Sequence, residues 1–284
     1  MVVETHARTH ARHEFNMHVI FFKDDDDDGS YSSAVLQLGH TASYCPLLDV
    51  ATLQSSLPTL DAALGGSPPP RCIAVTSRHA AAILRDACVR VHAGHGAAAC
   101  AALRAAPVFA VGARTAAALR GAPCLAPAAT CSGGGGGGGS GGAAELAPLV
   151  VASSSAGGGG GAVLFVCGEG RLDALPTAVR AAGVPLLEVA AYRATAAPEE
   201  TLRERWGRAL EAAPSSRCCV LFSPSGVTAA VGAGLLPAEL HLAIGATTAA
   251  ALRATGLECS GVATSPTAQG VADALAAALA GRSE

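Results

Sequence analysis

Short apolar runs recur along the chain, and each is followed by a turn and an Ala- and Leu-rich stretch. Apolar runs of about five residues that are bounded by turn residues are typical of buried parallel strands. Their alternation with helical stretches predicts an α/β fold. The runs are HVIFF (18–22), CIAVT (72–76), PVFAV (107–111), AVLFV (162–166), CCVLF (218–222) and HLAIG (241–245).

Longer segments of the chain resemble one another in pairs. PVFAVGARTAAALRGAPC (107–124) matches HLAIGATTAAALRATGLEC (241–259), and CIAVTSRHAAAIL (72–84) resembles CVLFSPSGVTAAV (219–231). The stretch 162–192 resembles 18–48 in the same way. These repeats predict two copies of one α/β domain with parallel sheets of flavodoxin-like type.

The repeats leave the pairing of the segments open. Either the first two segments form one domain and the last two the other, or a middle domain is inserted into a discontinuous one. In the second case PLLDVATL (46–53) and LEVAAYRATAAP (187–198) would form a two-stranded hinge. The similar extended character of these two runs favours the inserted arrangement.

Composition narrows the functional classes. The chain has 284 residues, half of them hydrophobic, which suits two domains of moderate size. A net charge of −3 and a single lysine, Lys23, argue against nucleic-acid binding. Because no apolar stretch is long enough to span a bilayer, we expect no membrane association. Residues 1–16 lack an apolar signal-peptide core and are interpreted as an N-terminal extension, so we expect a cytoplasmic protein, with a plastid as the alternative.

The ten cysteines show no CxxC and no Cys/His ligand spacing. Several of them, such as Cys72, Cys167, Cys218 and Cys219, lie in or beside the apolar runs. The sequence therefore predicts buried free thiols in a reducing compartment and no metal site.

Two Gly-rich stretches, 132–142 and 153–161, flank a helical segment at 143–152. A phosphate-binding loop would need a defined spacing followed by Lys, which is missing here. We interpret both stretches as flexible insertions. The acidic run 24–28 follows the first strand, where adjacent carboxylates are usually just solvated.

Small hydroxyl residues stand where strands end and helices begin. In an open parallel sheet, ligands bind at this edge. A Ser or Thr there can cap the helix, and the helix N-terminus also favours an anion. For one turn, capping alone is a sufficient explanation, but four such turns in matching pairs favour a ligand with many carboxylates. The turns are Thr76-Ser77, Thr115, Ser223-Pro224-Ser225-Gly226 and Thr247-Thr248.

Motifs for hydrolases, metalloproteases, dinucleotides and nucleoside triphosphates are missing. No carboxylate pair stands out for acid–base chemistry. His79 starts a helix, and a structural role suits it better than a catalytic one. For Tyr192, in the second hinge run, core packing and proton donation are equally supported interpretations.

Three blocks together resemble the uroporphyrinogen-III synthase family, most closely its animal-type branch. They are 162–198, CCVLFSPSGVTAAV (218–231) and LAIGATTAAALRATGLECSGVATSPTAQGVADAL (242–275). The opening 18–53 and the block VFAVGARTAAAL (108–119) fit as well. Each motif is weak by itself, but the ordered set SPSG, IGxTTAxAL and SPT is fairly specific. One departure is Ser77-Arg78-His79, where the family usually has Ser-Pro followed by Asn or Arg.

The resemblance implies the inserted arrangement, with the substrate in a cleft between the domains. The predicted limits are 17–47 plus 197–284 for the discontinuous domain, 53–188 for the inserted one, and 48–52 and 189–196 for the hinge strands. The resemblance also implies the activity of a lyase that cyclises hydroxymethylbilane with inversion of ring D and loss of water. The product is uroporphyrinogen III, which is used for haem or chlorophyll synthesis.

The resemblance also implies residue roles: Tyr192 assists departure of the hydroxyl, and the hydroxyl turns bind the substrate. No metal or organic cofactor is implied. The expected partner is the substrate, received from hydroxymethylbilane synthase, and the expected state is a monomer. The rival hypotheses are a non-catalytic two-domain binder of a tetrapyrrole or another polycarboxylate, and a flavodoxin-like FMN protein. The predicted substrate-binding residues are Ser77, His79, Thr115, Ser223, Ser225, Gly226, Thr247 and Thr248.

Overall fold

The computed structural model describes residues 16–24, 29–131, 141–156, 161–211 and 216–282. Most of the predicted N-terminal extension, most of the acidic run and the centres of both predicted insertions lie outside these residues. The strands are β1 His18–Phe22, β2 Thr41–Tyr44, β3 Leu48–Thr52, β4 Cys72–Val75, β5 Val108–Val111, β6 Ala129–Cys131, β7 Val163–Gly168, β8 Leu186–Ala196, β9 Arg217–Leu221, β10 Leu240–Ala243 and β11 Gly261–Val262.

Helices follow most of these strands. They are α1 Ser30–Leu36, α2 Leu57–Gly65, α3 Arg78–Arg104, α4 Gly112–Ala118, α5 Gly141–Ala156, α6 Ala174–Ala181, α7 Glu199–Leu210, α8 Pro224–Gly232, α9 Ala246–Ala254 and α10 Ala268–Ala280. Each of the six predicted apolar runs coincides with a strand, within two residues at either end.

The chain divides into two compact units. Unit 1 comprises Met1–Leu47 and Pro198–Glu284, and unit 2 comprises Leu48–Ala197. Both runs that the sequence suggested as hinge strands, 48–52 and 189–196, fall within unit 2. There β3 pairs with the last residues of β8 as an antiparallel ladder.

Each unit contains a five-stranded parallel arrangement. Unit 1 has the order β11-β10-β9-β1-β2, with parallel pairing throughout. Unit 2 has the order β6-β5-β4-β7-β8, again parallel, and β3 adds the antiparallel edge. The strands of matching sequence therefore occupy matching places, and the predicted fold of two similar parallel-sheet domains is confirmed.

The central strands of unit 2 are apolar because helices cover both faces of the sheet. Ile73 and Val75 face a cluster that includes α3, whereas Phe165 and Cys167 face a second cluster that includes α5 and α6. In unit 1, Phe21 packs in a cluster with residues of β9, β10 and α10. Full burial on both sides explains why these strands lack the alternation of a half-exposed sheet.

The predicted insertions 132–142 and 153–161 are wrong at the ends next to α5, since residues 141–142 and 153–156 belong to this helix. Ser154 is buried, and its hydroxyl donates to the carbonyl of Val150 at 2.7 Å. The Arg71 guanidinium donates to the carbonyls of Ser154 and Gly161. The bond to Ser154 satisfies one of the carbonyls that the end of α5 leaves unpaired, which the Ser-rich composition alone did not indicate.

The prediction that the cysteines are free is wrong for one pair. Cys100 in α3 and Cys124 after α4 form a disulfide across a separation of 24 residues. The chain returns from α4 to the end of α3, and no feature of the spacing reveals that approach. Cys72, Cys167, Cys218 and Cys219 are buried and free, as predicted.

Candidate functional site

The first predicted turn caps the longest helix of unit 2. Ser77 lies in extended conformation directly after β4, and its Oγ accepts a hydrogen bond from the backbone N–H of Ala80 at 3.1 Å. This bond satisfies one of the N–H groups that a helix start leaves unpaired. The hydroxyl hydrogen of Ser77 stays available for an acceptor at the same edge.

His79 and Tyr192 meet in unit 2. Their ring centroids are 5.5 Å apart at an interplanar angle of 51°. Tyr192 is half-buried and packs against the cluster that covers the α3 face of the sheet. Two candidates that are far apart in the sequence therefore lie side by side.

Thr115 is placed differently from the other candidates of unit 2. It lies in α4, after β5, and only 5% of it is exposed. Its hydroxyl is therefore largely covered, and substrate binding by Thr115 stays a prediction.

In unit 1, the SPSG turn forms a compact hydroxyl pair. Ser223 caps α8, since its Oγ accepts from the N–H of Gly226 at 3.0 Å. The Oγ atoms of Ser223 and Ser225 are 3.1 Å apart, and Ser225 is exposed. A Cβ on Gly226 would lie 3.2 Å from the Ser223 hydroxyl, so glycine lets this hydroxyl approach the backbone closely.

The two threonines of the IGATT turn differ in exposure. Thr247 is exposed at the start of α9, whereas only 2% of Thr248 is exposed. The family resemblance points to Thr248, but the structure leaves Thr247 as the accessible hydroxyl. Both assignments stay predictions.

The SPT segment repeats the geometry of SPSG and was not among the predicted site residues. Thr267 caps α10 by accepting from the N–H of Gly270 at 3.1 Å, and its hydroxyl is 2.8 Å from that of Ser265. The strands β9, β10 and β11 are neighbours in the sheet. The turns that follow them, SPSG, IGATT and SPT, therefore lie in a row at the carboxyl ends of these strands. The shared Ser-Pro start was the available signal in the sequence.

Lys23 is a second candidate that the sequence reasoning missed. It follows β1 directly, and its Nζ lies 4.4 Å from the ring centroid of Tyr31 and 5.3 Å from that of Phe222. Phe222 immediately precedes Ser223, so the chain's single lysine belongs to the same edge. A cation at this place would attract an anionic ligand.

Buried thiols are poor nucleophile candidates in this protein. Burial raises the pKa of Cys45 and of Cys167 to about 11 and that of Cys88 to about 12. These groups are therefore protonated thiols at neutral pH, and the thiolate is the reactive form.

Among the residues that the structure describes, one group of side chains has the composition of a metal site. The ligand atoms of His92, Cys100 and Cys124 lie within 4.8 Å of one another. Both sulfurs are joined in the disulfide, however, so neither is present as the thiolate that binds metals.

A family model supplies the decisive comparison. The model described as uroporphyrinogen-III synthase HemD matches residues 29–273, which is most of the chain. The chain belongs to the uroporphyrinogen-III synthase family. The hydroxyl turns described above lie within the matched residues, whereas Lys23 precedes them.

A solved structure of a uroporphyrinogen-III synthase shares the fold. The enzyme from Helicobacter pylori is 15% identical, with 93% of this chain and 99% of that chain covered and a TM-score of 0.55. A mutant enzyme from the extremely thermophilic bacterium Thermus thermophilus is 19% identical, with 93% and 99% covered and a TM-score of 0.49. No curated protein sequence matches the chain.

Membership of the synthase family fits the absence of strong acid–base motifs from the sequence. Within the part of the chain that the structure describes, no helix has the length and apolar character needed to cross a membrane.

Proposed function

We propose that this chain is a uroporphyrinogen-III synthase, a lyase that cyclises hydroxymethylbilane to uroporphyrinogen III with loss of water. The family match over residues 29–273 is the observation that supports this proposal most strongly. The substrate is a linear tetrapyrrole with eight carboxylates, so its binding calls for many hydrogen-bond donors and some positive charge.

Substrate binding is proposed to use the hydroxyl turns of both units. In unit 2 the donors are Ser77 and the neighbouring His79. In unit 1 they are Ser223, Ser225 and Thr247, with the ammonium of Lys23 as a further partner for a carboxylate. Hydroxyl and N–H donors fix the orientation of a carboxylate without transferring protons themselves.

The chemistry is largely a problem of orientation. Departure of the hydroxyl gives an azafulvene, and ring D attacks it through its substituted carbon to form a spiro-pyrrolenine. Fragmentation and recombination then invert ring D. The substrate closes unaided to the symmetric isomer I, so the protein must hold the conformation in which the crowded carbon attacks, and such orientation can contribute several kcal/mol.

Tyr192 is the proposed catalytic residue. Its phenol would donate a hydrogen bond or proton to the departing hydroxyl, which leaves as water. The ring is held beside His79 and within reach of the unit 2 edge, and it is half-buried. Because the residue is only half-buried, part of it is accessible to a ligand.

An isomer assay tests the function. Purified protein is mixed with hydroxymethylbilane generated in situ, and the oxidised products are separated into uroporphyrins I and III. A dominant isomer III is expected, and Tyr192→Phe is expected to lower the rate of its formation strongly while the circular dichroism spectrum stays unchanged. Isomer I at the level of a protein-free control, from a folded sample, would instead indicate a tetrapyrrole binder without catalysis.

The remaining parts of the proposal concern the cellular setting. The protein is proposed to act as a monomer in the cytosol, or alternatively in a plastid, and to receive its unstable substrate from hydroxymethylbilane synthase. Sedimentation analysis and a fluorescent fusion would test the first two points. Transfer of substrate from hydroxymethylbilane synthase would be tested in a coupled reaction of the two enzymes. The yield of isomer III would be compared with and without an excess of an inactive variant of this protein that competes for the substrate.

A further inference from the structure

Tyr192 lies at an irregularity of its strand. The parallel register pairs Cys167 with Ala190 but Gly168 with Tyr192, so Ala191 is an extra residue in β8. Such a bulge bends the strand and re-aims the side chain that follows it. As a result Ala191 and Tyr192, although adjacent in sequence, both pack toward the cluster on the α3 face.

Backbone bonds fix the bulge on both sides. The carbonyl of Ala191 accepts from the N–H of Leu53 at 2.9 Å, and the carbonyl of Tyr192 accepts from the N–H of Glu169 at 2.9 Å. The residues that follow Gly168 and Tyr192 are Glu169 and Arg193, and their side chains form a bidentate ion pair. Arg193 Nε donates to Glu169 Oε2, and Arg193 Nη2 donates to Glu169 Oε1 at 2.8 Å. The phenol is therefore carried by a backbone that is tied to both neighbouring strands.

Gly168 faces the reactive end of that phenol. A Cβ built on Gly168 would lie 2.6 Å from Cζ of Tyr192, 2.8 Å from its hydroxyl oxygen and 2.9 Å from Cε2. The ring end can occupy its place only because position 168 has no side chain. The three nearest atoms all belong to the hydroxyl-bearing end of the ring, so any larger residue would displace the group that the proposed reaction uses.

We propose that Gly168 is a positioning residue for the reaction, because its lack of a side chain determines where the Tyr192 hydroxyl lies. This proposal rests on the proposed role of Tyr192. His79 borders the same ring, at 5.5 Å between centroids. An alanine at position 168 must push the phenol end by roughly 1 Å to restore an ordinary contact, and a misplacement of that size costs on the order of 10²-fold in rate.

The test compares Gly168→Ala with Gly170→Ala. Gly170 lies two residues further along, where an added Cβ would meet nothing within 4 Å. We expect Gly168→Ala to lower kcat for isomer III by about 10²-fold, with KM nearly unchanged, and Gly170→Ala to match the wild type. In a Tyr192→Phe background, which lacks the hydroxyl, Gly168→Ala is expected to have little further effect on kcat.

A readout independent of activity locates the phenol. The protein is labelled with 3-fluorotyrosine, and of its three tyrosines the Tyr192 signal is assigned as the fluorine resonance that Tyr192→Phe removes. Gly168→Ala should shift that resonance, and Gly170→Ala should not. Should Gly168→Ala fail to fold, His79→Ala opens the other border of the ring without a clash and should move the same resonance.

The outcomes separate two failures. An unshifted Tyr192 resonance in folded Gly168→Ala would overturn the positioning proposal, and so would an equal loss of kcat in the Tyr192→Phe background. Full turnover by Tyr192→Phe would instead remove Tyr192 from the mechanism and with it the catalytic part of this proposal. In that case the fluorine shift would still decide whether Gly168 sets the position of the ring.

Discussion

Ser223 offers a way to separate helix capping from substrate binding. Its Oγ accepts from the N–H of Gly226 at 3.0 Å and lies 3.1 Å from the hydroxyl of Ser225. Aspartate caps a helix about as well as serine, whereas alanine does not. Ser223→Asp therefore keeps the cap but places a negative charge where substrate carboxylates are proposed to bind.

The two substitutions should have opposite consequences. Ser223→Ala loses the cap, which costs about 1 kcal/mol and lowers Tm by roughly 2–4 °C. Ser223→Asp should leave Tm unchanged or slightly higher, because a carboxylate at the start of α8 is favoured by the helix dipole.

The introduced carboxylate should also repel a substrate carboxylate. Two unit charges about 4 Å apart repel by about 1 kcal/mol in water and about 4 kcal/mol at an effective dielectric constant of 20. The smaller figure already corresponds to a roughly fivefold rise in KM.

Initial rates of isomer III formation at low and high salt would measure this repulsion. The rise in KM of Ser223→Asp should shrink in high salt, since the site is accessible and screening is effective there. Thr228→Asp is the matched control, because Thr228 is exposed one turn further along the same helix. An unchanged KM in Ser223→Asp, with Tm retained, would show that Ser223 only caps α8.

Three further predictions concern stability. Burial lowers the pKa of His18 below its ordinary value of 6.5, so the unfolded chain takes up a proton on this ring at a higher pH than the folded protein does. In urea unfolding, the free energy of unfolding should therefore fall as pH drops from 6.5 to the lower pKa of the folded state, by at most about 1.4 kcal/mol per pH unit from this group. Above pH 6.5 this group should leave the free energy of unfolding unchanged. Reduction of the Cys100–Cys124 disulfide, which closes 24 residues, should cost about 3 kcal/mol and lower Tm in thermal melts. Phe165→Ala, at a side chain 1% exposed, should cost about 3–5 kcal/mol in urea unfolding.

Each of these predictions has its own control. His18→Gln should flatten the acid dependence, and an equally steep fall in that variant would assign it to other groups. The double variant Cys100→Ser, Cys124→Ser should melt at the same temperature with and without reductant. Leu172→Ala, at an exposed position of the same unit as Phe165, should change the stability by less than about 0.5 kcal/mol; a loss similar to that of Phe165→Ala would contradict the packing argument.

Apart from the two hinge runs, the strands that the sequence predicted are those buried on both faces. HVIFF (18–22) and AVLFV (162–166) are continuous apolar runs because helices cover both sides of each sheet. The edge strand β2, with the sequence TASY, is only half-buried and carries no such signal. Repeats predicted the duplication for the same reason, since the matching segments occupy matching central places in the two sheets.

The candidate site was predictable only as far as it depends on local geometry. A hydroxyl residue between a strand and a helix predicts a cap, and Ser77 and Ser223 are caps. Exposure depends on tertiary packing, so nothing in the sequence distinguished exposed Thr247 from buried Thr248. The Cys100–Cys124 disulfide was missed for the same reason, because it depends on where α4 returns to α3.

Tyr192 shows why sequence reasoning left two interpretations equally supported. With the two-residue period of a regular strand, Leu187, Val189 and Ala191 share one face, and Tyr192 would point to the other. The bulge at Ala191 breaks that period and turns the ring toward the same cluster, so core packing is real. Its hydroxyl end, however, rests on Gly168, at the carboxyl end of β7, where ligands bind in such sheets. Packing and catalysis are therefore compatible, since the buried part of the ring fixes the position of the part that is proposed to react.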